Sequence, residues 1–442
     1  MGEKLEKPIT TKSSLDNENN IIKYGMSEMQ AYKKSMEVFS IKNPDLIEQN
    51  KNIFLFGLFD GHNGSEVAKY LSLHFSQFLT ENKKFQNGEY KQALKETFIN
   101  IDSSFRALEV QIELSKISSK NTPNFGDNKN ISNFLEIFEP RNLEGVNIAE
   151  FCGSCGIIIL ITEKSVFIAN AGNSKCIPIN TKNEIIKDKI NKEHTINDEN
   201  EIKRLKNVCG FVVNENENEN EKENANDNKE RNEFNPINYC PLLTTRGFGD
   251  LQYKDNKVIN IEDQYISVDP DIVEIPIDEL KYLIIGTYGT FGENNNKNTL
   301  TINEDISKYL LEKLNNSDEN KKISEIIEEF FEKIINEREK EKEDKNKENE
   351  NENKNKEEED NNTLIINNMA CIIIQFKHEN NNCIVEEDNE NDKDNEDNNI
   401  NEEDNENNKD DENKIKNSKE LNNNNLNTNN KNEEDVEEDE NI

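Results

Sequence analysis

The apolar residues of this chain come in brief runs rich in Ile, Val and Phe, set apart by long tracts of Asn, Glu and Lys, and that spacing limits the fold more than any other property of the sequence. Residues 53–59, 156–161, 165–170, 283–287 and 370–376 are too short for core helices and carry the branched and aromatic side chains that suit buried strands. The tracts "NENENENEKENANDNKERNE" from Asn214, "EREKEKEDKNKENENENKNKEEEDNN" from Glu337, and everything after Cys383 can bury little apolar area. They are expected to loop out of a fold built from the remainder.

Helical periodicity is limited to a few segments. In "SEVAKYLSLHFSQFLT" (65–80), Val67, Leu71, His74 and Phe78 fall on one stripe, with Ser65 placed to cap the start. Residues 89–106, 302–315 and 322–336 repeat the pattern, and the last is expected to run on to about 340 before fraying. "GIIILITEKSVFIANAG" reads as two strands joined by a tight polar turn, both arms inside the core. Strands dominate and helices are available to cover them, which predicts an α+β domain with a sizeable β core. No repeat of solenoid length is present. The organisation expected is a leader over 1–19, a domain over 20–380 with disordered insertions at about 214–235 and 340–362, and a disordered acidic tail over 384–442.

Charge narrows the partners. A net charge of -37 disfavours nucleic acid and anionic membrane surfaces, and fits basic proteins or metal cations. Residues 384–442 hold 23 Asp and Glu against 6 Lys, a local net of -17. Seven cysteines, an odd number scattered from Cys152 to Cys383, do not form a disulfide framework, so a cytoplasmic or nuclear compartment is expected. No apolar run approaches the roughly 18 residues of a membrane helix. Gly2 follows Met1, but Glu6 stands where a myristoylation signal wants Ser or Thr, so membrane anchoring is not expected.

Chemistry concentrates at "FDGHNG", where an apolar run ends in Asp60, Gly61 and His62. A carboxylate at a strand end can be held rigidly and still reach a hard divalent cation. A glycine lets its carbonyl approach closely, and an imidazole can protonate a leaving oxygen near neutral pH. The same tripeptide can equally be a plain turn with Asp60 bonded to local amides. Elsewhere Cys152 and Cys155 in "FCGSC" have zinc or redox spacing without a second pair, and read as strand cysteines. "RGFGD" lacks the third glycine of a dinucleotide loop, His74 is expected to pack, and the tail has no glycine for a calcium loop.

Several segments taken together carry a resemblance. "YGMSEMQAYKKSME" (24–37), "LFDGHNGSEVAKYL", "GSCGIIILI", "VFIANAGNSKC", "EHTINDENEIKRLKNVCGFVV", "LLTTRGFGDLQYK", "VDPDI", "YLIIGTYGTFGE" and "NNMACIIIQF" resemble, in family order, the motifs of the metal-dependent protein phosphatases, the PPM or type 2C serine/threonine phosphatases. The leader, too, resembles that of protist-type members, departing at Glu6. The resemblance implies a central sandwich of two antiparallel β-sheets flanked by helices, with a binuclear Mn or Mg centre at one end. In such a site metal-activated water attacks a phosphoserine or phosphothreonine.

Carried over residue by residue, the resemblance gives Asp60 as the acid bridging two metals, Gly61 as a carbonyl ligand, Glu37 as the holder of metal-bound water and His62 as the general acid. The departures are as specific. Val38, Tyr288 and Asn367 stand at positions of family acids, Asn173 replaces the hairpin Asp, and Lys33 replaces the Arg that grips the substrate phosphate. Two divalent cations would bring four positive charges against one direct carboxylate, Asp60, with Glu37 in support. At most one weak Mn or Mg site is expected, and two only if the protein is active. Glu293, five residues beyond Tyr288, is a conceivable substitute ligand, whereas Asp250, Asp271 and His194 read as structural. The expectation is a pseudophosphatase that binds a phosphoprotein or a regulatory protein. The alternative is an active Mn/Mg-dependent serine/threonine phosphatase with a rearranged site.

Overall fold

The computed structural model describes residues 4–42, 44–46, 52–121, 147–208, 244–292, 299–318, 320–352 and 367–378. Residues up to 380 form one compact unit. The insertion at about 214–235, the end of the second tract, Glu293 and the acidic tail lie outside the described residues.

The Ile- and Phe-rich runs become strands, as their branched side chains favour. In chain order these are β1 (Lys4–Glu18), β2 (Ile22–Lys33), β3 (Val38–Ser40), β4 (Phe54–His62), β5 (Gly153–Ile161), β6 (Ser165–Ala171), β7 (Lys175–Asn180), β8 (Phe248–Gly249), β9 (Asp271–Pro276), β10 (Leu280–Gly286) and β11 (Met369–Phe376). One sheet runs β1-β2-β11-β10-β7; the other runs β3-β4-β5-β6-β9, with β8 joined to β5. Every pairing in both ladders is antiparallel. The helices are α1 (Glu66–Thr80), α2 (Lys83–Gln86), α3 (Tyr90–Ser104), α4 (Leu108–Asn121), α5 (Glu199–Val208), α6 (Tyr288–Phe291), α7 (Thr299–Asn316) and α8 (Ile323–Glu352).

Alternation along each strand creates three apolar layers. Phe54, Phe56 and Leu58 of β4 meet Leu283 and Ile285 of β10 and Ile372 of β11 between the sheets. The intervening Leu55 and Phe59 face Val67, Leu71 and Phe75 of α1 on one side of the sandwich. Across the other sheet, Ile284 and Ile373 face Ile327 and Phe331 of α8. The result is a helix–sheet–sheet–helix stack, as the resemblance implies. Gly25 permits the closest approach of its outer helix, since a Cβ there would press into the backbone of Ser324.

Four details differ from expectation. The segment assigned as a leader contains β1, which pairs with β2 along most of its length, so residues 4–18 belong to the sheet. Its many polar residues hid an edge strand, which needs only one modestly buried face. Helix α8 continues beyond 340 to Glu352, where Glu and Lys, good helix formers, make up most of the added residues and carry it past its apolar face. Ser65 stands at the start of α1 in a helical conformation and makes no capping bond. On α1 the buried stripe is Val67, Leu71, Phe75 and Leu79, so His74 lies off it, its ring against Tyr70 at 4.3 Å and its Nε2 2.7 Å from Glu113.

Candidate functional site

One end of the sandwich collects the ends of many strands. Antiparallel register brings the C-terminal ends of β2 and β10 to the N-terminal ends of β11 and β7, through Met29 opposite Met369 and Gly286 opposite both Cys371 and Lys175. Lys33, Tyr288, Asn367 and Asn173 are therefore presented at one end of their sheet. In the other sheet β4 finishes with Asp60, Gly61 and His62, opposite Cys155, Ser154 and Gly153 of β5.

Asp60 continues the inter-sheet face of Phe54, Phe56 and Leu58, which explains its burial: it is 8% exposed. Burial raises its pKa to about 6, and Glu37 adds to the rise while Lys33 and His62 oppose it. Directly across the ladder stands Val38, fully buried in the same apolar layer. The position that the resemblance assigns to a second acid thus seals the core instead. Asn173 reaches the floor of the site through Cys155, whose Sγ lies 3.2 Å from its Oδ1. Burial pushes the Cys155 thiol up to about 12, so in these surroundings it is held as the thiol. Cys152 and Cys155 are both buried free thiols.

Gly61 is required by packing: a Cβ there would crowd the carbonyls of Glu37 and Gly64. Its N–H donates to the Glu37 carbonyl at 3.0 Å. Its own carbonyl accepts from Lys33 Nζ at 3.3 Å, and the same ammonium lies 2.7 Å from Glu37 Oε2. Ser35 Oγ donates to Glu37 Oε1 at 2.9 Å, so both carboxylate oxygens of Glu37 are engaged. Lys33, the expected phosphate contact, has its ammonium on Glu37 and the Gly61 carbonyl.

His62 is set by a residue that the sequence suggested was structural. Its Nε2 lies 2.6 Å from Oδ2 of Asp250, a fully buried carboxylate whose other oxygen has no hydrogen-bond partner among the described residues. Burial works against a charged imidazole here, but Asp250 and then Asp60 outweigh it and hold the His62 pKa above its ordinary value. With Nε2 committed to Asp250, Nδ1 is the nitrogen left to serve a proton to a substrate. Asp250 adopts a left-handed conformation, φ 50°, after Gly249. That turn is braced by Asp102, whose Oδ1 accepts from Gly249 N–H and from Lys254 Nζ, both at 2.8 Å.

Three further expectations are corrected or sharpened. Asp250 and Asp271, read from the sequence as structural, have carboxylates that pair with side chains. Asp271 lies 3.3 Å from His194 and 3.4 Å from Arg246, which together hold it at about 2. His194 is structural as expected, its Nδ1 accepting from Gly172 N–H at 3.1 Å. Asn368 was overlooked: fully buried, it accepts from Glu37 N–H at 2.8 Å and donates to the carbonyls of Gln30 and Ser35. Its only signal in the sequence is an Asn immediately before an apolar strand. Tyr288 opens the short helix α6, and Asn367 is half-buried just ahead of β11. They sit at neighbouring strand ends, where Thr287 N–H donates to the Ala370 carbonyl at 3.1 Å.

A pair of divalent cations does not fit these residues. Of the described positions carried over from the family site, Asp60 alone keeps a carboxylate clear of the ammonium, Val38 offers no oxygen, and Gly61 and Glu37 are occupied by Lys33. Among the described residues no three His, Cys, Asp or Glu side chains are grouped so as to hold a metal ion. What the arrangement can supply is a buried acid, an imidazole held by a buried carboxylate and a held ammonium at one rim.

Sandwich, strand order and the Asp-Gly-His strand end together define a type 2C phosphatase scaffold with altered cation-binding positions. The chain belongs to the protein phosphatase 2C family, whose model matches residues 22–123 and 110–291. Members of that family are generally Mn- or Mg-dependent. The chain is 29% identical over 293 residues to probable protein phosphatase 2C 5 of Paramecium tetraurelia, covering 66% of this chain and 81% of that protein. Similarity to probable protein phosphatase 2C 21 of Arabidopsis thaliana is 27% over 302 residues, covering 65% and 77% respectively. Among solved structures, a phosphatase from Toxoplasma gondii superposes with a TM-score of 0.50 at 13% identity, covering 83% of this chain and 96% of that one, a likeness of fold.

Proposed function

We propose that this family member is a pseudophosphatase, a phosphatase scaffold that binds a phosphoprotein or a regulatory protein partner with little or no turnover. The observation supporting it is the pairing of Asp60 with Val38 across the ladder, where cation binding calls for a second carboxylate. Water activation by two metals needs charge that one direct carboxylate, Asp60, does not provide. Buried free thiols suit the reducing cytosol or nucleus as its compartment. No helix among the described residues is long and apolar enough to cross a membrane.

A second reading has its own support. The Asp60-Gly61-His62 strand end is intact, His62 is paired with Asp250, and the similar Paramecium and Arabidopsis proteins are described as probable phosphatases. On that reading a single weak Mn or Mg site at Asp60 serves an active serine/threonine phosphatase. The two are separated by assaying the purified chain with manganese on a phosphothreonine peptide and on an aryl phosphate, beside Asp60→Ala. Equal background hydrolysis in both proteins is the expected result. Turnover in the parent chain that disappears in Asp60→Ala sinks the pseudophosphatase reading.

A further inference from the structure

We infer that the ammonium of Lys33 is this chain's own cation: it takes up the Glu37 carboxylate and the Gly61 carbonyl beside Asp60, and thereby replaces a bound metal ion with a tethered one. The inference rests on the altered metal positions described above but goes beyond the loss of activity, since it says what stabilises the residues that remain. Positive charge at this rim is needed, because Asp60 and Glu37 are brought together by the β3–β4 ladder whether or not a metal is present. Lys33 supplies it at 2.7 Å from Glu37 Oε2 and 3.3 Å from the Gly61 carbonyl.

The surroundings are built to keep Lys33 in place. Gln30 Nε2 donates to the Lys33 carbonyl at 2.9 Å, and Asn368 Nδ2 donates to the carbonyls of Gln30 and Ser35, so the turn from β2 to β3 is fastened on both sides of the lysine. Asn368 Oδ1 fixes the Glu37 N–H, and Ser35 takes the second carboxylate oxygen. Ala31, two residues before Lys33, has φ 57°, a left-handed conformation that costs a residue bearing a Cβ. It lies within β2 at an irregularity in the β1–β2 register, shortly before the strand ends at Lys33. A divalent ion seeking Glu37 and Gly61 would have to displace, or share two oxygens with, a fixed ammonium of like charge.

The test is manganese binding by the full chain, followed by calorimetry and by water-proton relaxation, in the parent, Lys33→Met, Asp60→Asn and the double variant. A net charge of -37 guarantees loose background binding, so only differences from Asp60→Asn count. The parent is expected to match Asp60→Asn, with a melting temperature unmoved by manganese or chelator. Lys33→Met keeps the length of the side chain and removes its charge. It is expected to bind manganese at least about tenfold more tightly than the parent and to be stabilised by it, and the double variant is expected to lose that gain. Site-specific manganese binding in the parent, unchanged by Lys33→Met, overturns the inference, as does a folded Lys33→Met that gains nothing. If Lys33→Met does not fold, the comparison of the parent with Asp60→Asn decides alone: a difference between them overturns the inference and equality upholds it. None of these outcomes depends on turnover, so the pseudophosphatase reading stands or falls separately, in the phosphatase assay.

Discussion

Asp60 carries a free-energy penalty that its surroundings only partly offset. Its pKa in the folded chain is raised to about 6 by burial, so the folded state holds the proton more tightly than the unfolded chain does. The sign follows: stability is greatest below the ordinary carboxylate range, falls as pH rises through about 6, and the penalty is complete at neutral pH. Asp60→Asn is therefore expected to raise the unfolding free energy at pH 7 by about 1–3 kcal/mol and to change it little near pH 3.5, measured by urea titration. A loss of stability at pH 7 would mean that Asp60 is engaged by a cation. The neighbouring imidazole is raised too, so its contribution is likewise present at low pH and lost as pH rises through its folded pKa. Asp250→Asn removes the partner that raises the His62 pKa, and a lower His62 pKa in an NMR titration is the expected outcome.

At the scale of elements, the segment that delivers Asp250 is held by two buried ion clusters. One is Asp102 of α3 with Lys254; the other joins α5 to the strand-like stretch before β8. There Glu201 lies 2.6 Å from Arg246 and 2.9 Å from Arg204, and accepts from Thr245 Oγ1 at 2.7 Å. Burial alone would raise the Glu201 pKa, but Arg246 and Arg204 overcome it and hold it at about 2. A lowered carboxylate contributes stability above its unfolded pKa and loses it as pH falls, here between about 4.5 and 2. Glu201→Gln is expected to cost about 2–4 kcal/mol at pH 7 and to flatten the acid limb of the stability profile, followed by circular dichroism. The sequence signalled α1, α3, α7 and the core of α8 through their apolar period. It did not signal α5, a ten-residue helix whose buried residues are Glu201 and Leu205, because half of the closed face is an ion cluster and only a short hydrophobic pattern is left to read.

For the whole molecule, the layer between the sheets governs stability. Phe56 of β4 is fully buried and meets Tyr24 of β2 edge-on, ring centres 4.8 Å apart, so one contact spans both sheets. Phe56→Ala is expected to cost about 3–5 kcal/mol in urea-induced unfolding and to loosen both sheets together, because the cavity opens where neither can close on it alone. A cost below about 1 kcal/mol would indicate that the sheets are held chiefly by their outer helices. Acid-paired Glu201 and buried Asp60 act in opposite pH ranges, so their effects separate in one titration series.

Amino-acid order alone determined the short Ile- and Phe-rich strands, the β5–β6 hairpin, the covering helices and the strand end at Asp60, because each depends on residues close in the chain and on a period that burial imposes. It also determined that Val38, Tyr288 and Asn367 carry no carboxylate. Tertiary structure decided the rest. The pairing of β1 with β2 rests on backbone hydrogen bonds that any polar strand can make. The His62–Asp250 contact spans 188 residues, and Asn368 reaches across 331 residues to Glu37. Such distant partners leave no mark on local sequence, and only the meeting of two sheet ends shows that the cation beside Asp60 is a lysine of the chain itself.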